Sequence, residues 1–262
     1  MKNSFEKDYI DIVNNILENW ILKETRNWIT KALFWILLEI DCLEDWAFPL
    51  LTTRKIFYKW ILWEYAAIIN KPKHIDDFKK YWCNYWDKWA QPDWKINIDY
   101  GNKWFDFHWH NQVQELLDNL KNNPNDRRLM IQAWDPSNLK NLDLPCCHYS
   151  YQFFVRDWHL DILWNQRSAD FMIWVPSDIV LAAIMLSTFA KEVWLKFWKI
   201  KMMFWDAHIY EEHFEWAKEL VKRPMYKLPR FILEKKLFDF EPDNLKLWWY
   251  EHNDPIKFLL KE

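Results

Sequence analysis

Glycine is almost absent from this chain of 262 residues, in which Gly101 is the single glycine. Average usage of about 7% would give roughly 18 glycines in a chain of this length. The chain has 22 tryptophans instead. Because glycine adopts positive φ and permits close backbone approach more readily than other residues, a fold that needs it at turns must here use another residue type. The composition therefore suggests that tryptophan and glycine have been exchanged.

Cysteine is also scarce, and its spacing matches no common metal or redox motif. The four cysteines form no CxxC pair and no cysteine–histidine spacing typical of zinc. They are Cys42, Cys83, Cys146 and Cys147. We therefore expect neither a metal ion nor a disulfide.

Long apolar runs and linkers are missing as well. No run approaches the length of a membrane span, and residues 1–9 lack the apolar core of a signal peptide. Hydrophobic residues make up 51% of the chain and charged residues 28%, which is typical of a soluble globular protein. We expect one cytoplasmic domain over residues 1–262. The net charge of −3 argues against a general nucleic-acid binder.

Hydrophobic periodicity predicts most of the secondary structure. Apolar residues at helical spacing predict helices over residues 5–19, 57–69, 112–121 and 179–191, and another that ends at Lys222. The apolar run 32–40 predicts a buried strand, and residues 129–134 predict a second. Short strands and turns alternate after residue 225.

A thiol next to an imidazole, Cys147 and His148, lies in the segment 144–152. Arg167 follows after one predicted strand. A nearby cation lowers the pKa of a thiol and favours the nucleophilic thiolate, so Cys147 is a candidate nucleophile. The pair alone leaves open a buried cysteine beside a satisfied histidine.

Five motifs follow one another in the second half of the chain. They are Pro-Cys-Cys-His at 145–148, Gln-Phe at 152–153, Gln-Arg-Ser-x-Asp at 166–170, Val-Pro-Ser-Asp-Ile at 175–179 and Asp-Ala-His-Ile-Tyr at 206–210. This order resembles the thymidylate synthase family, whose pattern reads P-C-H, Q-F, Q-R-S-x-D, G-V-P-F-N-I and G-D-x-H-x-Y. Matches at residues 48–55, 85–90, 100–104 and 254–257 extend the resemblance over nearly the whole chain.

The resemblance implies an α+β fold with a mixed sheet covered by helices, and a homodimer whose subunits pack sheet to sheet. It implies reductive methylation of dUMP to dTMP through a covalent adduct at Cys147, with 5,10-methylenetetrahydrofolate as co-substrate. Asp178 stands where the family has asparagine, which keeps open a dCMP hydroxymethylase or dCMP methylase on the same fold. A non-catalytic nucleotide-binding relative is the remaining alternative. Neither nucleic acid nor a membrane is an expected partner.

The resemblance assigns catalytic roles to Cys147, Glu64, Tyr100 and Arg167. Glu64 lies on an otherwise apolar helix face, where a carboxylate is costly unless it has a partner or a task. In the family, a glutamate here organises water for proton transfer at the pyrimidine, and Tyr100 would help to order that water. A surface glutamate is the alternative. Arg167 would bind phosphate and lower the thiol pKa.

The resemblance also assigns a set of residues to the nucleotide. They are Arg26, Arg127, Arg128, His148, Gln166, Ser168, Asp178, His208 and Tyr210. The arginines suit phosphate because a guanidinium donates two hydrogen bonds at once. Arg127 and Arg128 would reach the nucleotide of the other subunit, whereas solvated surface arginines are the alternative for them and for Arg26. His208 and Tyr210, two residues apart on one side of a strand, would bind the sugar hydroxyl.

Four further residues resemble the family's folate contacts: Trp86, Trp89, Asp170 and Arg54. Trp86 and Trp89 lie in a match to the pattern W-D-E-W-A and are candidate walls of the folate site. Aromatic residues at this spacing otherwise belong to the core. Asp170 matches the pterin contact, and Arg54 lies in a match to F-P-L-x-T-T-K-R.

Several tryptophans stand where the family pattern has glycine. They are Trp46, Trp174, Trp194, Trp198 and Trp205. An indole can provide neither positive φ nor close backbone approach without strain. A tryptophan-rich divergent protein is one interpretation. The pattern favours the other, a translation in which a glycine codon was written as tryptophan.

Overall fold

The computed structural model describes residues 4–25, 28–41 and 43–258. Arg26, predicted to contact phosphate, lies outside the described residues. The helices are α1 (Ser4–Glu18), α2 (Tyr58–Ile69), α3 (Ile75–Lys79), α4 (Asn102–Phe105), α5 (Gln112–Asn122), α6 (Trp174–Glu192) and α7 (Phe214–Leu220). The strands are β1 (Ile21–Glu24), β2 (Ile29–Ile40), β3 (Met130–Gln132), β4 (His148–Arg156), β5 (His159–Asp170), β6 (Lys196–Tyr210), β7 (Arg230–Leu233) and β8 (Leu245–Trp248).

A six-stranded mixed sheet in the order β1-β2-β6-β5-β4-β3 forms the centre of the fold. Neighbouring strands are antiparallel except β5 and β6, which run parallel. A parallel pair needs a crossover connection, and α6 provides it and packs on both strands. The predicted α+β class with a mixed sheet flanked by helices is confirmed. The pairing of two subunits stays a prediction.

Helix α6 is the central helix because it is apolar nearly all round. By length and composition it could cross a membrane, so the expectation that no run reaches that length was wrong. Its most apolar stretch is 83% buried inside the protein. That burial is typical of the core helix of a globular fold.

A buried carboxylate in α1 fixes the segment that leads into the candidate site. Glu6 accepts hydrogen bonds from the backbone N–H groups of Thr52 and Thr53 at 2.6 and 2.7 Å, and from both hydroxyls. Buried carboxylates are tolerated when they are hydrogen-bonded in this way. The contact holds Arg54, the next residue, in the interior of the protein.

Strand β2 differs from the predicted strand 32–40. It begins earlier, at Ile29, and its centre is open to solvent: Phe34 is 75% exposed and Leu37 is 49% exposed. The prediction of a fully buried strand was therefore wrong. Helix α1 packs against this strand but leaves these two side chains uncovered in the single chain.

Tryptophan occupies most of the left-handed backbone positions. Eight of the eleven described non-glycine residues with positive φ are tryptophan: Trp35, Trp46, Trp82, Trp94, Trp109, Trp158, Trp194 and Trp249. Large side chains are rare in this region. The expectation of positive φ holds at Trp46 and Trp194, with φ of 59° and 62°, but Trp174, Trp198 and Trp205 do not have positive φ. At those three positions, only the close approach of another backbone segment could explain the glycine of the family pattern.

Candidate active site

Cys147 lies immediately before β4 and is held there by hydrogen bonds from three directions. Its backbone N–H donates to the Tyr100 hydroxyl at 2.8 Å, and its carbonyl accepts from the backbone N–H of Arg167 at 2.9 Å. The Arg167 guanidinium donates to the carbonyls of Cys146 and Pro145 at 2.9 and 3.0 Å. Three of the four predicted catalytic residues therefore lie together.

The pKa of the Cys147 thiol is raised, because burial favours its neutral form more than Arg167 favours the thiolate. A charge on Asp178 raises it further, and a hydrogen bond with Tyr100 lowers it. Arg167 lowers the pKa of the thiol, as expected, but burial raises it by more. Cys147 is half-buried, so a substrate can still approach it.

Cys146, the adjacent thiol, is fully buried. Burial raises its pKa to about 12, so it stays protonated at neutral pH. Of the two neighbours, Cys147 is thus the one that is placed to react.

His148 is buried between two aromatic rings and remains neutral. Its ring centroid lies 4.5 Å from those of Tyr100 and Trp164, and its Nδ1 lies 2.6 Å from the Tyr151 hydroxyl. Burial lowers its pKa to about 3. A neutral imidazole cannot supply the cation that would activate the neighbouring thiol, which leaves that part to Arg167.

Asp178 and Gln166 form a buried polar pair beside the nucleophile. The Gln166 amide Nε2 in β5 donates to Asp178 Oδ2 in α6 at 2.7 Å. Burial raises the pKa of Asp178 to about 8, and the charge of Glu64 raises it too. At pH 7 this side chain is therefore mostly a neutral acid, which can donate one hydrogen bond and accept another.

His208 and Tyr210 meet on one side of β6, as predicted from their spacing. Their rings lie 5.2 Å apart in an edge-to-face contact. His208 Nδ1 is 3.0 Å from Asp206 Oδ1. Burial raises the pKa of Tyr210 to about 12, and negative charges on Asp170 and Cys147 raise it further. The pair thus lies near the nucleophile. Ser168 pairs in register with Asp206 at the same end of the sheet.

A separate part of the site is a cleft of about 610 Å³ with Glu64 on its wall. The Trp86 indole donates to Glu64 Oε1 at 3.0 Å, and Tyr85 also hydrogen-bonds this carboxyl. Burial raises the pKa of Glu64 above its ordinary value. Trp89 packs against Trp86, with ring centroids 5.3 Å apart. Both tryptophans lie behind Glu64 and Tyr85, which line the cleft.

Arg54 also lines this cleft and is buried. Its guanidinium donates to the Met172 carbonyl and lies 4.7 Å above the Phe258 ring, while its buried Nε has no hydrogen-bond partner among the described residues. Asp170 accepts from the Met172 and Ile173 backbone N–H groups at 2.8 and 3.3 Å. These contacts place Arg54 and Asp170 on either side of residue 172.

Arg127 and Arg128 lie in the turn before β3. Within the described part of the single chain, neither arginine hydrogen-bonds Cys147. Arg128 is directed to solvent and donates to both oxygens of Asp126 at 3.0 and 2.8 Å. The Arg127 carbonyl accepts from Gln152. Their predicted task requires a second subunit.

Tyr85 and Tyr151 both contact residues of the site, but the sequence motifs assigned no role to either tyrosine. Tyr85 precedes Trp86 in the W-D-E-W-A match, and that adjacency was the available signal. Tyr151 gave none, because it lies three residues after His148, and the strand is irregular between His148 and Ser150, which the sequence does not indicate.

Comparison with known proteins matches this chain along nearly its whole length. The family model described as thymidylate synthase matches residues 7–261. A thymidylate synthase of Corynebacterium aurimucosum is 31% identical over 265 residues, which cover 98% of this chain and 98% of that protein.

Proposed function

Since the chain belongs to the thymidylate synthase family, we propose that it transfers a one-carbon unit to C5 of dUMP and reduces it to a methyl group, giving dTMP. The observation that carries the proposal is the convergence of Cys147, Arg167, Tyr100 and Asp178 next to a cleft that contains Glu64. A nucleophile, a base-recognition group and a buried carboxyl are then within one site.

The nucleotide would be held at three points. Arg167 and Ser168 would bind its phosphate, together with Arg26 and with Arg127 and Arg128 of the partner subunit. His208 and Tyr210 would hydrogen-bond the sugar hydroxyl. Asp178, oriented by Gln166, would read the pyrimidine edge.

The covalent step would use the thiol of Cys147. Its thiolate adds to C6 of the pyrimidine, which makes C5 nucleophilic, and Arg167 offsets the charge that burial disfavours. Glu64 would later accept the C5 proton through water that Tyr100 helps to order, and the thiolate would leave C6 as the carbon on C5 is reduced to a methyl group. Because burial raises the pKa of Glu64, its carboxyl holds a proton to a higher pH than an ordinary glutamate does.

5,10-Methylenetetrahydrofolate, when bound, supplies both the carbon and the reducing hydride. The residues of the Glu64 cleft fit such a molecule. Its walls are largely apolar and aromatic, and the buried Arg54 Nε has no partner among the described residues. Lys55 and Lys257 add positive charge for a ligand that bears carboxylates.

A dCMP-modifying enzyme on the same fold is the second candidate, and Asp178 favours it. An ionised aspartate only accepts hydrogen bonds, whereas cytosine offers an amino donor at C4 and a ring acceptor at N3. With its pKa raised to about 8, the protonated Asp178 can pair with either base, because it donates and accepts at once. The retained Trp86 favours a methyl product, and we place dUMP first.

Turnover of dUMP and dCMP with methylenetetrahydrofolate, with identification of the C5 substituent, tests this order. On dUMP we expect activity to fall as the pH rises through about 8, since Asp178 then loses the proton that it donates to O4. Asp178→Asn should keep dUMP activity above that pH. A strong preference for dCMP with a hydroxymethyl product would overturn the first choice.

A non-catalytic nucleotide-binding relative is tested separately. An active enzyme of this type should form a covalent adduct with 5-fluoro-dUMP that mass spectrometry detects. Reversible binding without an adduct would support the binder instead.

A further inference from the structure

A second cleft lies away from the nucleophile, where the end of α2 meets the segment before α4. It measures about 800 Å³ and shares no lining residue with the Glu64 cleft. Its lining is polar and basic, with Lys71, Lys73, Lys95 and Lys103 among the residues around it. Its volume lies within the range of small-molecule sites.

The floor of this cleft presents hydrogen-bond acceptors that nothing in the described protein satisfies. Asp99 is fully buried; its Oδ1 accepts from the Asn138 amide at 3.1 Å and its carboxyl has a hydrogen bond with the backbone of Asp135, while Oδ2 has no partner among the described residues within ordinary hydrogen-bond distance. The Asn102 amide donates to the carbonyls of Pro72 and Ile98 at 2.8 and 3.2 Å, which leaves its Oδ1 without a partner. A buried acceptor without a donor is costly, so this floor selects a ligand with O–H or N–H groups.

The rim of the cleft carries lysines, which favour an anion. Lys103 pairs with Asp135 at 2.6 Å and Lys95 with Asp93 at 2.6 Å. Lys71 and Lys73 are exposed, and no described carboxylate lies within 4.0 Å of either ammonium. Two cations at the rim are therefore available for an anion, and lysine is a common ligand of phosphate. Phe105, 5.6 Å from the Lys71 ammonium, adds an aromatic wall.

We propose that this second cleft binds a small phosphorylated molecule of nucleotide size, whose phosphates contact Lys71 and Lys73 and whose hydroxyl or amino groups donate to Asp99 and Asn102. The two halves of the cleft make complementary demands, and a phosphate ester that carries such donors meets both. The proposal is independent of the reaction at Cys147.

Calorimetric titration of the full chain with ATP and with inorganic tripolyphosphate tests it. Both probes carry the anion, and only ATP carries sugar hydroxyls and an amino group. We expect ATP to bind at least roughly tenfold more tightly than tripolyphosphate, the factor of a single well-made contact. The double variant Lys71→Ala/Lys73→Ala should weaken both probes, whereas Lys121→Ala, an exposed lysine of α5, should change neither.

Asp99→Asn, which replaces one acceptor by a donor, should remove the preference for ATP over tripolyphosphate. If that variant does not fold, the lysine variants and the two probes decide alone. Unchanged ATP affinity in the double lysine variant overturns the proposal. So does ATP binding that Arg167→Ala abolishes, because the probe then occupies the nucleotide site, or the absence of binding to the unaltered protein.

Discussion

Two adjacent thiols end the segment before β4, and the structure distinguishes them by burial. Cys146 is enclosed in the core, whereas Cys147 lies partly open between Tyr100 and Arg167. Reaction with a nucleotide requires an exposed sulfur that can become a thiolate. In the motif alone, only the order of residues distinguishes the two cysteines, because Cys147 directly precedes the histidine.

We predict that Cys147→Ser abolishes turnover while nucleotide binding persists, since the phosphate and sugar contacts remain. Cys146→Ser should keep activity, with some loss of stability from a hydroxyl placed in the core. Turnover and 5-fluoro-dUMP adduct formation, measured for both variants, check this. An inactive Cys146→Ser protein beside an active Cys147→Ser protein would reverse the assignment.

At the same scale, residue identities were predictable from the motifs, but their ionisation was not. The motif order indicated Asp178 and Cys147, yet the pKa of each depends on how much of it the fold buries and which charges lie near. Those neighbours come from strands and helices that are distant in sequence. The motif pattern therefore could not predict that the pKa of the Cys147 thiol is raised.

Among the elements, α2 and the turn that follows α3 together build the Glu64 environment. Tyr85 and Trp86 both hydrogen-bond Glu64, and each contact lowers a pKa that burial has raised. Removing Tyr85 should therefore raise the pKa of Glu64 further. The base form would then be reached only at higher pH.

We predict that Tyr85→Phe lowers kcat and moves the acidic limb of its pH profile upward, with a smaller change in KM for the nucleotide. Tyr81→Phe is the matched control, because the Tyr81 hydroxyl contacts the Asn70 amide at 3.1 Å instead of Glu64. Steady-state rates over a pH series measure both. An equal loss of kcat without a shifted limb would assign Tyr85 a packing role only.

The hairpin between β4 and β5 gives a physical reason why glycine would be expected at the position of one tryptophan. Its turn residues Asp157 and Trp158 both have positive φ, 47° and 63°. A two-residue turn of this type strongly prefers Asp-Gly or Asn-Gly. Asp-Trp is that pair with tryptophan in place of glycine, and the indole is 78% exposed.

We predict that Trp158→Gly stabilises the protein by about 1 kcal/mol, the order of the left-handed penalty for a residue with a Cβ atom. Trp216→Gly in α7 should have the opposite sign, since glycine weakens a helix. Denaturant unfolding measures both. Peptide sequencing of the product from its native host should also find glycine at position 158, and tryptophan there in an active native protein would contradict the exchange.

Three helices were well predicted, but α6 begins at Trp174 and not at residue 179 as predicted, and the sheet was predicted less well. The 3.6-residue period of α1, α2 and α5 gave their bounds to within a residue or so. Exposure of the centre of β2 was missed, because an apolar run looks alike whether the fold itself or another molecule covers it.

For the whole molecule, that exposed surface bears on the subunit arrangement. Strands β2, β3 and β4 expose Phe34, Leu37, Met130 and Phe154. Exposed apolar side chains on the strands of a sheet are typical of an interface. We therefore propose that it pairs with a second copy, which would bring Arg127 and Arg128 to the partner's nucleotide.

Mixing inactive Cys147→Ser protein with inactive Arg127→Ala protein should then restore part of the activity through hybrid dimers. In a hybrid, one of the two sites has both its own cysteine and an intact arginine from the other chain. Two Cys147→Ser preparations mixed with each other serve as the control. No recovery, with subunit exchange demonstrated by mass, would argue against a shared site.

The pairing of β2 with β6 also constrains the order in which the chain can fold. Thr30 of β2 pairs with Tyr210 of β6, and β6 in turn pairs with β5. During synthesis, β2 can pair with β1 at once, but it leaves the ribosome long before its other partner β6 exists, whereas β4, β5, α6 and β6 follow one another. The second half of the sheet can therefore assemble first as a template. The apolar β2 segment must wait for it, and protection of that segment by a chaperone would limit aggregation of the nascent chain.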